Sequence, residues 1–381
     1  RGCAIGALDH PSCQLADTKI LTETGWKDIA DVKVGENILT LTQDKKIEIH
    51  PVLRKIEEPY KGKLIHIKGR MIDIKVTPNH KFPIFNRYQK WKGFYTAQEM
   101  LDQSIPDFSH SYLYKNGEWE GRDDEYFVLS SMVDDEKYSS FKKHIKEKYK
   151  DDVKIPMNLW AKFMGIFLSE GHCDYYHNCQ GGRVTIYQKK IEVVNEIRAL
   201  FDELPFEYKE HINQKTGAYT FSIFDLRLAK YLNQFGNYYT KYVPFDLKQQ
   251  KKETLRLFYD WFVLGDGRQR GAGKGKYYSD DVFSTSEQLA LDLNEIQLKI
   301  GYNGVFHMEM RDNDRYIDGR LIKGENTHPL YLTFRSLTKN VALQPKSLRI
   351  TEEDYDGMVY CVEVENHNFY ILNIINHFHL K

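Results

Sequence analysis

The feature that most constrains the fold of this chain is an internal repeat. An apolar helical pattern that ends in an acid and a glycine spans residues 159–171, and the same pattern recurs over residues 255–267. The two acids, Glu170 and Asp266, lie 96 positions apart. Two further amphipathic helical patterns are related by the same offset and begin near Lys190 and Ser286. The repeat therefore predicts two similar halves.

Small residues follow one face of the first repeated helix. Ala161, Gly165 and Ser169 recur at every fourth position, so they share a face that another helix can approach closely. If the two repeated helices pack side by side, Glu170 and Asp266 meet at the base of the pair, where their charges repel unless divalent cations bridge them. This arrangement is typical of metal-assisted phosphodiester cleavage.

An ordinary helix end is the alternative interpretation of each motif. An acid followed by glycine is common there, because glycine readily adopts the left-handed conformation that stops a helix. That alternative explains either copy alone. It does not explain why helix, acid, glycine and following helix are all duplicated at one offset.

Charge and composition limit the remaining possibilities. A chain of 381 residues is long enough for two or three domains, and 54 basic residues balance 54 acidic ones, so any DNA-binding surface must be local. No stretch has the length and apolarity of a membrane helix, and an intracellular, cytoplasmic protein is expected. The cysteines are too few and scattered for a disulfide framework, which predicts reduced thiols at Cys3, Cys13, Cys173, Cys179 and Cys361.

β-Strand patterns flank the repeated region on both sides. Short β-branched runs punctuated by glycine extend from Leu21 to about Phe85, and similar runs return from Tyr355. Between them, a charged segment over residues 142–152 precedes alternating strands and helices that continue to about Thr338. One β-domain interrupted by an inserted domain explains this layout better than three domains in series.

The repeated region resembles the LAGLIDADG (dodecapeptide, DOD-type) homing endonucleases. Residues 163–171 and 261–267 resemble the two motifs of that family, and Lys241-Tyr-Val-Pro244 resembles its Lys-x-x-Pro block. The resemblance covers about residues 150–338. It implies two pseudo-symmetric αββαββ halves bound to double-stranded DNA. Trp261 occupies the position of Gly165 in the first helix, so the close helix contact cannot be symmetric.

The endonuclease resemblance also implies the active-site roles. Glu170 and Asp266 would hold Mg²⁺ against the scissile phosphates, and Lys241 would belong to the catalytic site. The DNA contacts would come from strand side chains in residues 183–189 and 277–279, where aromatic and basic residues are interleaved.

The flanking β segments resemble the Hint splicing domain of inteins. Residues 13–22 are similar to the N-terminal splicing block, Thr77-Pro-Asn-His80 to the Thr-x-x-His block, and residues 359–369 to the penultimate block. The resemblance implies an all-β, horseshoe-like Hint domain interrupted by an α+β LAGLIDADG domain. It divides the chain into an upstream extein remnant (1–12), two parts of the Hint domain (13–140 and 339–381) and the endonuclease (141–338).

The splicing chemistry needs a nucleophile, a polarised amide and a proton for the leaving nitrogen. We expect Cys13 to attack the carbonyl of Ser12 in an N to S acyl shift, with His80 donating to the amide nitrogen and Thr77 holding the geometry. Splicing needs no cofactor. Cys361 lies where many inteins have Asp, and could tune the first thiol or the later steps. By the family pattern, His367 would assist asparagine cyclisation.

The C-terminal residues depart from the intein pattern. The chain ends with residues 373–381, which contain no terminal Asn followed by a Cys, Ser or Thr of the downstream extein. Either Phe378 follows a penultimate His377, or the end lies beyond Lys381, or Asn376 precedes His377. The C-terminal step is therefore expected to be blocked or truncated.

Three hypotheses remain open from the sequence. The first is an intein with an embedded endonuclease, acting as a monomer. The second is a freestanding endonuclease with a decayed Hint domain, which the presence of Cys13, Thr77 and His80 disfavours. The third is a non-cleaving DNA-binding module, which Glu170 and Asp266 disfavour.

Two weaker motifs are disfavoured. Zinc at His172, Cys173, His177 and Cys179 does not fit the spacing of usual zinc sites. A phosphate loop at residues 271–276 lacks the Gly-Lys-Ser/Thr ending, so a basic loop near DNA is the better interpretation.

Overall fold

The chain forms a mixed α/β structure with several antiparallel sheets. The computed structural model describes residues 12–69, 72–114, 117–136, 138–176, 181–270, 279–310, 314–317, 320–323, 329–336, 341–344, 348–365, 369–370, 372–373 and 375–378. None of the helices in these ranges is long and apolar enough to cross a membrane. Two compact units are present. The first comprises Arg1–Glu120, Arg270–Ser279 and Ala290–Lys381, and the second comprises Gly121–Gln269 and Asp280–Leu289.

The elements of the N-terminal stretch are mostly strands. In chain order they are β1 (Lys19–Thr22), β2 (Gly25–Asp28), β3 (Asn37–Leu41), β4 (Ile47–Pro51), β5 (Arg54–Gly69), β6 (Ile72–Val76), β7 (Lys81–Asn86), β8 (Trp91–Thr96), α1 (Ala97–Leu101) and β9 (Ser111–Leu113). Single 3₁₀ turns occur at Ile29–Asp31, Phe108–His110 and Tyr138–Ser140.

Helices and strands alternate in the middle of the chain. The elements are β10 (Tyr126–Leu129), α2 (Lys143–Lys148), β11 (Val153–Pro156), α3 (Met157–Glu170), β12 (Gly171–Tyr176), β13 (Gly181–Gln188), α4 (Ile191–Glu203), β14 (Tyr208–Ile212), β15 (Tyr219–Ile223), α5 (Leu226–Asn233), α6 (Phe245–Lys248), α7 (Lys252–Asp266), β16 (Gly267–Arg270), β17 (Ser279–Ser284) and α8 (Glu287–Lys299).

Strands return in the C-terminal stretch. They are β18 (Asn303–Glu309), β19 (Arg315–Ile317), β20 (Arg320–Ile322), β21 (Leu330–Ser336), β22 (Val341–Ala342), β23 (Leu348–Glu363), β24 (Phe369–Tyr370), β25 (Leu372–Asn373) and β26 (Ile375–Phe378).

The repeat inferred from the sequence is present in the order of the elements. The order α3, β12, β13, α4, β14, β15 recurs as α7, β16, β17, α8, β18, β21, and the second copy carries the additional pair β19 and β20. Helices α4 and α8 begin and end at positions that differ by the predicted offset of 96. The predicted second helix of each half is therefore confirmed.

Strands from distant parts of the chain form the sheets of the first unit. The 16-residue strands β5 and β23 pair antiparallel along their whole length, from Gly69 opposite Leu348 to Arg54 opposite Glu363. Strand β6 pairs with the other edge of β5. Alternate residues of β5 and β6, among them Ile65 and Ile74, enter one buried cluster, as expected for residues that share one face of a sheet. Strands β24 and β25 likewise pair with β3 and β1.

In the second unit, a four-stranded sheet has the order β12, β13, β15, β14. Along β13, Val184 and Ile186 are buried, and the paired β15 residues Phe221 and Ile223 are buried with them. Arg183 and Tyr187 occupy the alternate positions and therefore point to the opposite face of the sheet. The apolar face is the one that packs against α3 and α4.

Helices α3 and α7 of the second unit pack against each other with almost no space between their backbones. A Cβ added at Gly165 of α3 would lie 2.5 Å from the Phe258 carbonyl oxygen and 2.9 Å from Trp261 Cβ. A Cβ at Gly265 of α7 would lie 2.9 Å from Ser169 Cβ. The order of these contacts shows that the helices run parallel, with their C-terminal ends together. Gly165 of α3 faces Trp261, which occupies the equivalent position of α7. Gly265 of α7 likewise faces Ser169, which occupies the equivalent position of α3.

Replacing Gly165 by Val is expected to destabilise the second unit by about 1–3 kcal/mol, because the added carbons overlap backbone atoms of α7 that cannot rotate away. Urea unfolding monitored by tryptophan fluorescence measures this loss. The exposed α4 change Glu196→Ala is the control and should alter the free energy of unfolding by less than about 0.5 kcal/mol. Equal effects of the two substitutions would show that the helix contact is looser than described.

Candidate functional site

Both repeated helices end at the acid for a steric reason. Gly171 and Gly267 have φ values of −90° and −82°, so neither glycine is in the left-handed conformation of an ordinary stop. A Cβ at Gly171 would lie 2.5 Å from Phe167 Cδ2, and one at Gly267 would lie 2.5 Å from the Val263 carbonyl oxygen. The chain thus turns sharply against its own last helical turn, and this places each acid at the final helical position.

The two acids, Glu170 and Asp266, lie at the adjoining ends of α3 and α7. A Cβ at Gly265 would be 3.0 Å from Glu170 Cγ, so the Glu170 side chain lies against the residue that precedes Asp266. Desolvation raises the pKa of Glu170. Desolvation, followed by the charge of Glu170, raises the pKa of Asp266 to about 7. Once one of the two carboxyl groups has ionised, ionising the other brings a second negative charge into a region from which solvent is partly excluded. The remaining proton is therefore hard to remove.

Lys241 places a positive charge beside these acids. Its Nζ donates hydrogen bonds to three carbonyl oxygens at the end of α3, those of Phe167 at 3.3 Å, Leu168 at 3.0 Å and Gly171 at 2.9 Å. Desolvation lowers the pKa of Lys241 to about 8, although Asp266 and Glu170 act in the opposite direction. The lysine therefore caps the helix that carries Glu170 and can titrate near neutral pH.

Two residues near the acids escaped the sequence analysis. Gln188 is 6% exposed, and its Nε2 lies 3.5 Å from Glu170 Oε1. The charge of Lys190 lowers the pKa of Glu170 and of Asp266. Gln188 lies in the segment from which DNA contacts were expected, but it follows Val184 and Ile186 in the alternation of β13. That alternation is the signal that could have placed it on the helix-facing side.

The two carboxylates fit a hard divalent cation. Mg²⁺ prefers oxygen ligands and commonly takes one or two carboxylates, with water and substrate phosphate completing its coordination. Glu170 and Asp266 supply two carboxylates of this kind, and within the described ranges no three His, Cys, Asp or Glu side chains gather into a metal-holding group. Asp266 remains solvent-exposed despite its raised pKa, so an ion from solution can reach it.

The raised pKa of Asp266 predicts a stability change with pH in metal-free protein. Asp266 ionises near 3.8 in an unfolded chain but near 7 when folded, so the folded state binds more protons between these values. This contribution to stability is complete below the lower value and is lost as the pH rises through about 7. Because the side chain is exposed, solvent screening makes the loss smaller than the shift alone implies.

Thermal unfolding in the presence of a chelator checks this expectation. From about pH 5 to about pH 8, the melting temperature of wild type should fall relative to that of Asp266→Asn, and Mg²⁺ should restore it. Glu196→Gln is the control and should follow wild type. A wild-type profile parallel to that of Asp266→Asn would rule out the shifted pKa.

Thr77 holds the backbone of Cys13 in the first unit. The Cys13 N–H donates to Thr77 Oγ1 at 2.9 Å, and the Cys13 carbonyl oxygen accepts from the Thr77 N–H at 3.0 Å. Both side chains are fully buried. Thr77 is therefore the residue that contacts the amide nitrogen expected to leave in the acyl shift.

His80 contacts Ser12, the first residue of the Ser12–Cys13 peptide bond. Its Nδ1 is 3.2 Å from Ser12 Oγ, and a hydrogen bond to the Ser12 backbone partly offsets the desolvation that lowers the pKa of His80 to about 4. The imidazole is neutral at physiological pH, so it acts as an N–H donor and not as an imidazolium. The sequence predicted this histidine at the amide nitrogen, whereas its contacts in the structure are with Ser12.

Cys361 belongs to the same buried cluster as Cys13, together with Ile56, Leu64 and Val359. Its thiol is 3.7 Å from the carbonyl oxygen of Val362. The fifth predicted splicing residue, His367, lies outside the described residues. The structure thus brings Cys13, Thr77, His80 and Cys361 together in the first unit, and Glu170, Asp266 and Lys241 together in the second.

The other candidate motifs are placed as follows. The Cys173 thiol donates to the Ala229 carbonyl oxygen at 3.2 Å, and desolvation raises its pKa to about 12, so it is a protonated thiol and a poor zinc ligand. His177, Cys179, the basic loop at 271–276 and residues 277–278 lie outside the described residues. On the outer face of β13, Arg183 binds Asp174 through two nitrogens, at 2.7 and 3.1 Å.

Comparison with curated proteins finds relatives that have different names and that match this chain over only part of their own length. The chain is 23% identical over 325 residues to an ATP-dependent Clp protease proteolytic subunit of Chlamydomonas moewusii, covering 83% of this chain and 30% of that protein. It is 24% identical over 409 residues to an uncharacterized protein of Methanocaldococcus jannaschii, covering 96% and 50%. It is 23% identical over 422 residues to the ATP-dependent DNA helicase Hel308 of Thermococcus kodakarensis, covering 96% and 36%. The chain spans half or less of the length of these relatives. No family model matches it.

Solved structures overlap with parts of the chain. The structure of I-DmoI in complex with DNA and Mn has a TM-score of 0.32 and 15% identity, covering 48% of this chain and 90% of that one. The homing endonuclease I-WcaI bound to its DNA recognition sequence has a TM-score of 0.31 and 16% identity, covering 50% and 81%. A bacterial intein-like domain from Clostridium thermocellum has a TM-score of 0.21 and 24% identity, covering 24% and 62%.

Proposed function

We propose that this chain is an intein that carries a site-specific DNA homing endonuclease. The splicing part is a horseshoe-like Hint domain built from residues 13–140 and 339–381, and residues 141–338 form a LAGLIDADG endonuclease with two αββαββ halves. Residues 1–12 would then be the end of the upstream extein. Acting inside the cell as a monomer, the protein would have double-stranded DNA and its own flanking sequences as partners.

The nuclease proposal is carried by one observation, the two carboxylates held side by side at the ends of α3 and α7. Close contacts at the glycines hold these helix ends together, so the backbones that carry the two acids stay close. A pair of this kind is costly without a cation, as the raised pKa of Asp266 indicates. Holding Mg²⁺ between the two carboxylates would remove that cost.

The chain's own residues would divide the work of phosphodiester cleavage. Glu170 and Asp266 would hold Mg²⁺, which when bound polarises the scissile phosphate and lowers the pKa of water. Lys241, with its pKa of about 8, can stabilise negative charge or move a proton near neutral pH. Gln188 would orient Glu170, to which it is close.

The DNA would lie against the outer face of the four-stranded sheet. Thr185 of this face is buried, but its paired neighbours His172 and Ser222, and Lys209 opposite Ser222, are polar or basic and at least partly exposed. Such side chains can contact phosphates and base edges, and they supply the local surface that the zero net charge of the chain requires.

The splicing proposal is carried by the clamp of Thr77 on the Cys13 amide. The Cys13 thiol would attack the Ser12 carbonyl carbon, forming a thioester as the bond to the Cys13 nitrogen breaks, and the proton lost by the thiol would pass to that nitrogen. His80, which contacts Ser12, is placed to stabilise charge on the carbonyl oxygen, and Thr77 is placed to hold the nitrogen as it gains its proton.

The diversity of the relatives supports an inserted element. A protease subunit and a DNA helicase share no named activity, yet each matches most of this chain over about a third of its own length. Similarity to a common host activity would not produce that pattern. A self-removing segment carried by unrelated hosts would.

Selection from a randomised double-stranded DNA library tests the nuclease function even though the target sequence is unknown. In Mg²⁺, sequencing of the cut ends should recover one family of related sites, and a chelator should abolish recovery. Ends that share no sequence preference, or no ends at all, would contradict a site-specific endonuclease.

A further inference from the structure

Cys13 and Cys361 occupy directly opposed positions on two antiparallel segments. The Gln14 N–H donates to the Tyr360 carbonyl oxygen at 2.9 Å, and the Tyr360 N–H donates to the Gln14 carbonyl oxygen at 2.8 Å. Two residues that exchange both bonds form a hydrogen-bonded pair, and the adjacent pair in this register is Cys13 and Cys361. That adjacent pair is a non-hydrogen-bonded one, the closer type, in which Cα atoms typically lie about 4.5 Å apart.

The hydrogen bonds of Cys13 agree with this register. In an antiparallel pair, the N–H and C=O groups of a non-hydrogen-bonded residue point away from the partner strand. The N–H and C=O of Cys13 do so, since both are bonded to Thr77 and neither to the segment of Cys361. A separation of about 4.5 Å lies within the range of Cα distances that disulfides span.

The two thiols also point to the same side. Directly opposed residues of an antiparallel pair have side chains on one face. Cys13 and Cys361 lie in a single buried cluster with Val359, whereas Tyr360, one residue away, packs against a different cluster. The side chains are 0% and 4% exposed, so both sulfur atoms are confined to the same small apolar space.

We infer that Cys13 and Cys361 form a reversible disulfide that switches self-splicing off under oxidising conditions. The oxidant is a low-molecular-weight disulfide such as glutathione disulfide. One thiolate attacks it, releasing a glutathione thiolate and leaving a mixed disulfide. The second cysteine thiolate then attacks that mixed disulfide, closing the bond between the two cysteines and releasing a second glutathione. The chain loses two electrons and two protons, and the oxidant is reduced to two thiols.

The consequence for splicing rests on the proposed function, but the bond does not. A sulfur atom in a disulfide is not a thiolate, so Cys13 could not attack the Ser12 carbonyl until a reductant restored it. Because both thiols are buried, exchange requires local opening of the short segment around Cys13, which pairs through Gln14 with Tyr360 and Val76 and through Cys13 with Thr77. The reduced interior of a cell would keep the element active.

The test treats the full chain with glutathione disulfide and maps its peptides without reduction. The expected product is a peptide pair that joins Cys13 to Cys361, with a mass lower by about 2 Da than the two free peptides because two hydrogens are lost. Cys173→Ser is the matched control and should give the same linked pair. Cys361→Ser should give none. Glutathione attached to Cys13 with no link to Cys361 would overturn the inference.

Hydroxylamine supplies the functional readout, since it cleaves thioesters without reducing disulfides. In reduced wild type it should release residues 1–12, and linkage of about nine-tenths of the molecules should lower release about tenfold, because linked Cys13 cannot attack. In Cys361→Ser, whatever its absolute rate, any loss of release under oxidation must come with glutathione attached to Cys13, whereas in wild type it must come with the Cys13–Cys361 link. Linkage with undiminished release would overturn the switch. No release from reduced protein would instead refute the splicing proposal, while the peptide map still decides the bond.

Discussion

Replacing Glu170 by Gln, or Asp266 by Asn, is expected to reduce Mg²⁺-dependent double-strand DNA cleavage by about 10³-fold or more, because each substitution removes a charged ligand from an ion that acts on the scissile phosphate. The amide variants keep the shape of the side chain, so the tight contact of Glu170 with Gly265 is preserved. Cleavage of a recovered target, followed over time on a gel, measures the effect.

Glu196→Gln is the matched control for this experiment, since Glu196 is an exposed acid of the same unit, on α4. It should cleave at the wild-type rate. Binding of the target in Ca²⁺ should persist in all three variants, which separates loss of chemistry from loss of folding. Cleavage by both amide variants at the rate of the control would refute the assignment of the two carboxylates.

Replacing Cys13 by Ala is expected to abolish thiol-induced release of residues 1–12, a loss of at least about 10³-fold, because the nucleophile itself is removed. The substitution shortens a fully buried side chain by a single atom, so the surrounding cluster should remain folded. The intact mass of the chain after incubation with a strong thiol measures release.

Cys173→Ala is the control, since Cys173 is a cysteine of the second unit whose thiol bonds to Ala229. It should release the segment like wild type. Release from Cys13→Ala at the same rate would mean that the bond breaks by another route, such as simple hydrolysis.

The repeated helices could be predicted from the sequence because their signal is local. Apolar periodicity and an acid-glycine ending identify α3 and α7, and a constant offset identifies α4 and α8. The reason for the glycines could not be predicted. Gly171 and Gly267 avoid clashes with their own helices in extended conformation, a steric effect that depends on the path of the following strand.

The surroundings of the catalytic candidates depend on contacts between residues far apart in sequence. The three carbonyl oxygens bound by Lys241 lie 70 or more positions away, and no pattern in a single sequence indicates them. The same holds for Thr77, which contacts the Cys13 amide where His80 was expected. The sequence motifs indicated which residues belong to the candidate sites. The contact that each residue makes could be read only from the folded structure.

The central claim, that this chain removes itself from a precursor through Cys13, is tested most directly by one mass measurement. A precursor carrying its natural sequence on both sides of the chain is reduced and incubated, and the intact masses of all products are determined. The expected result is that the upstream flank leaves the chain, either free or, where the C-terminal step also proceeds, joined to the downstream flank by a peptide bond. A precursor that keeps its full mass under these reducing conditions would contradict it.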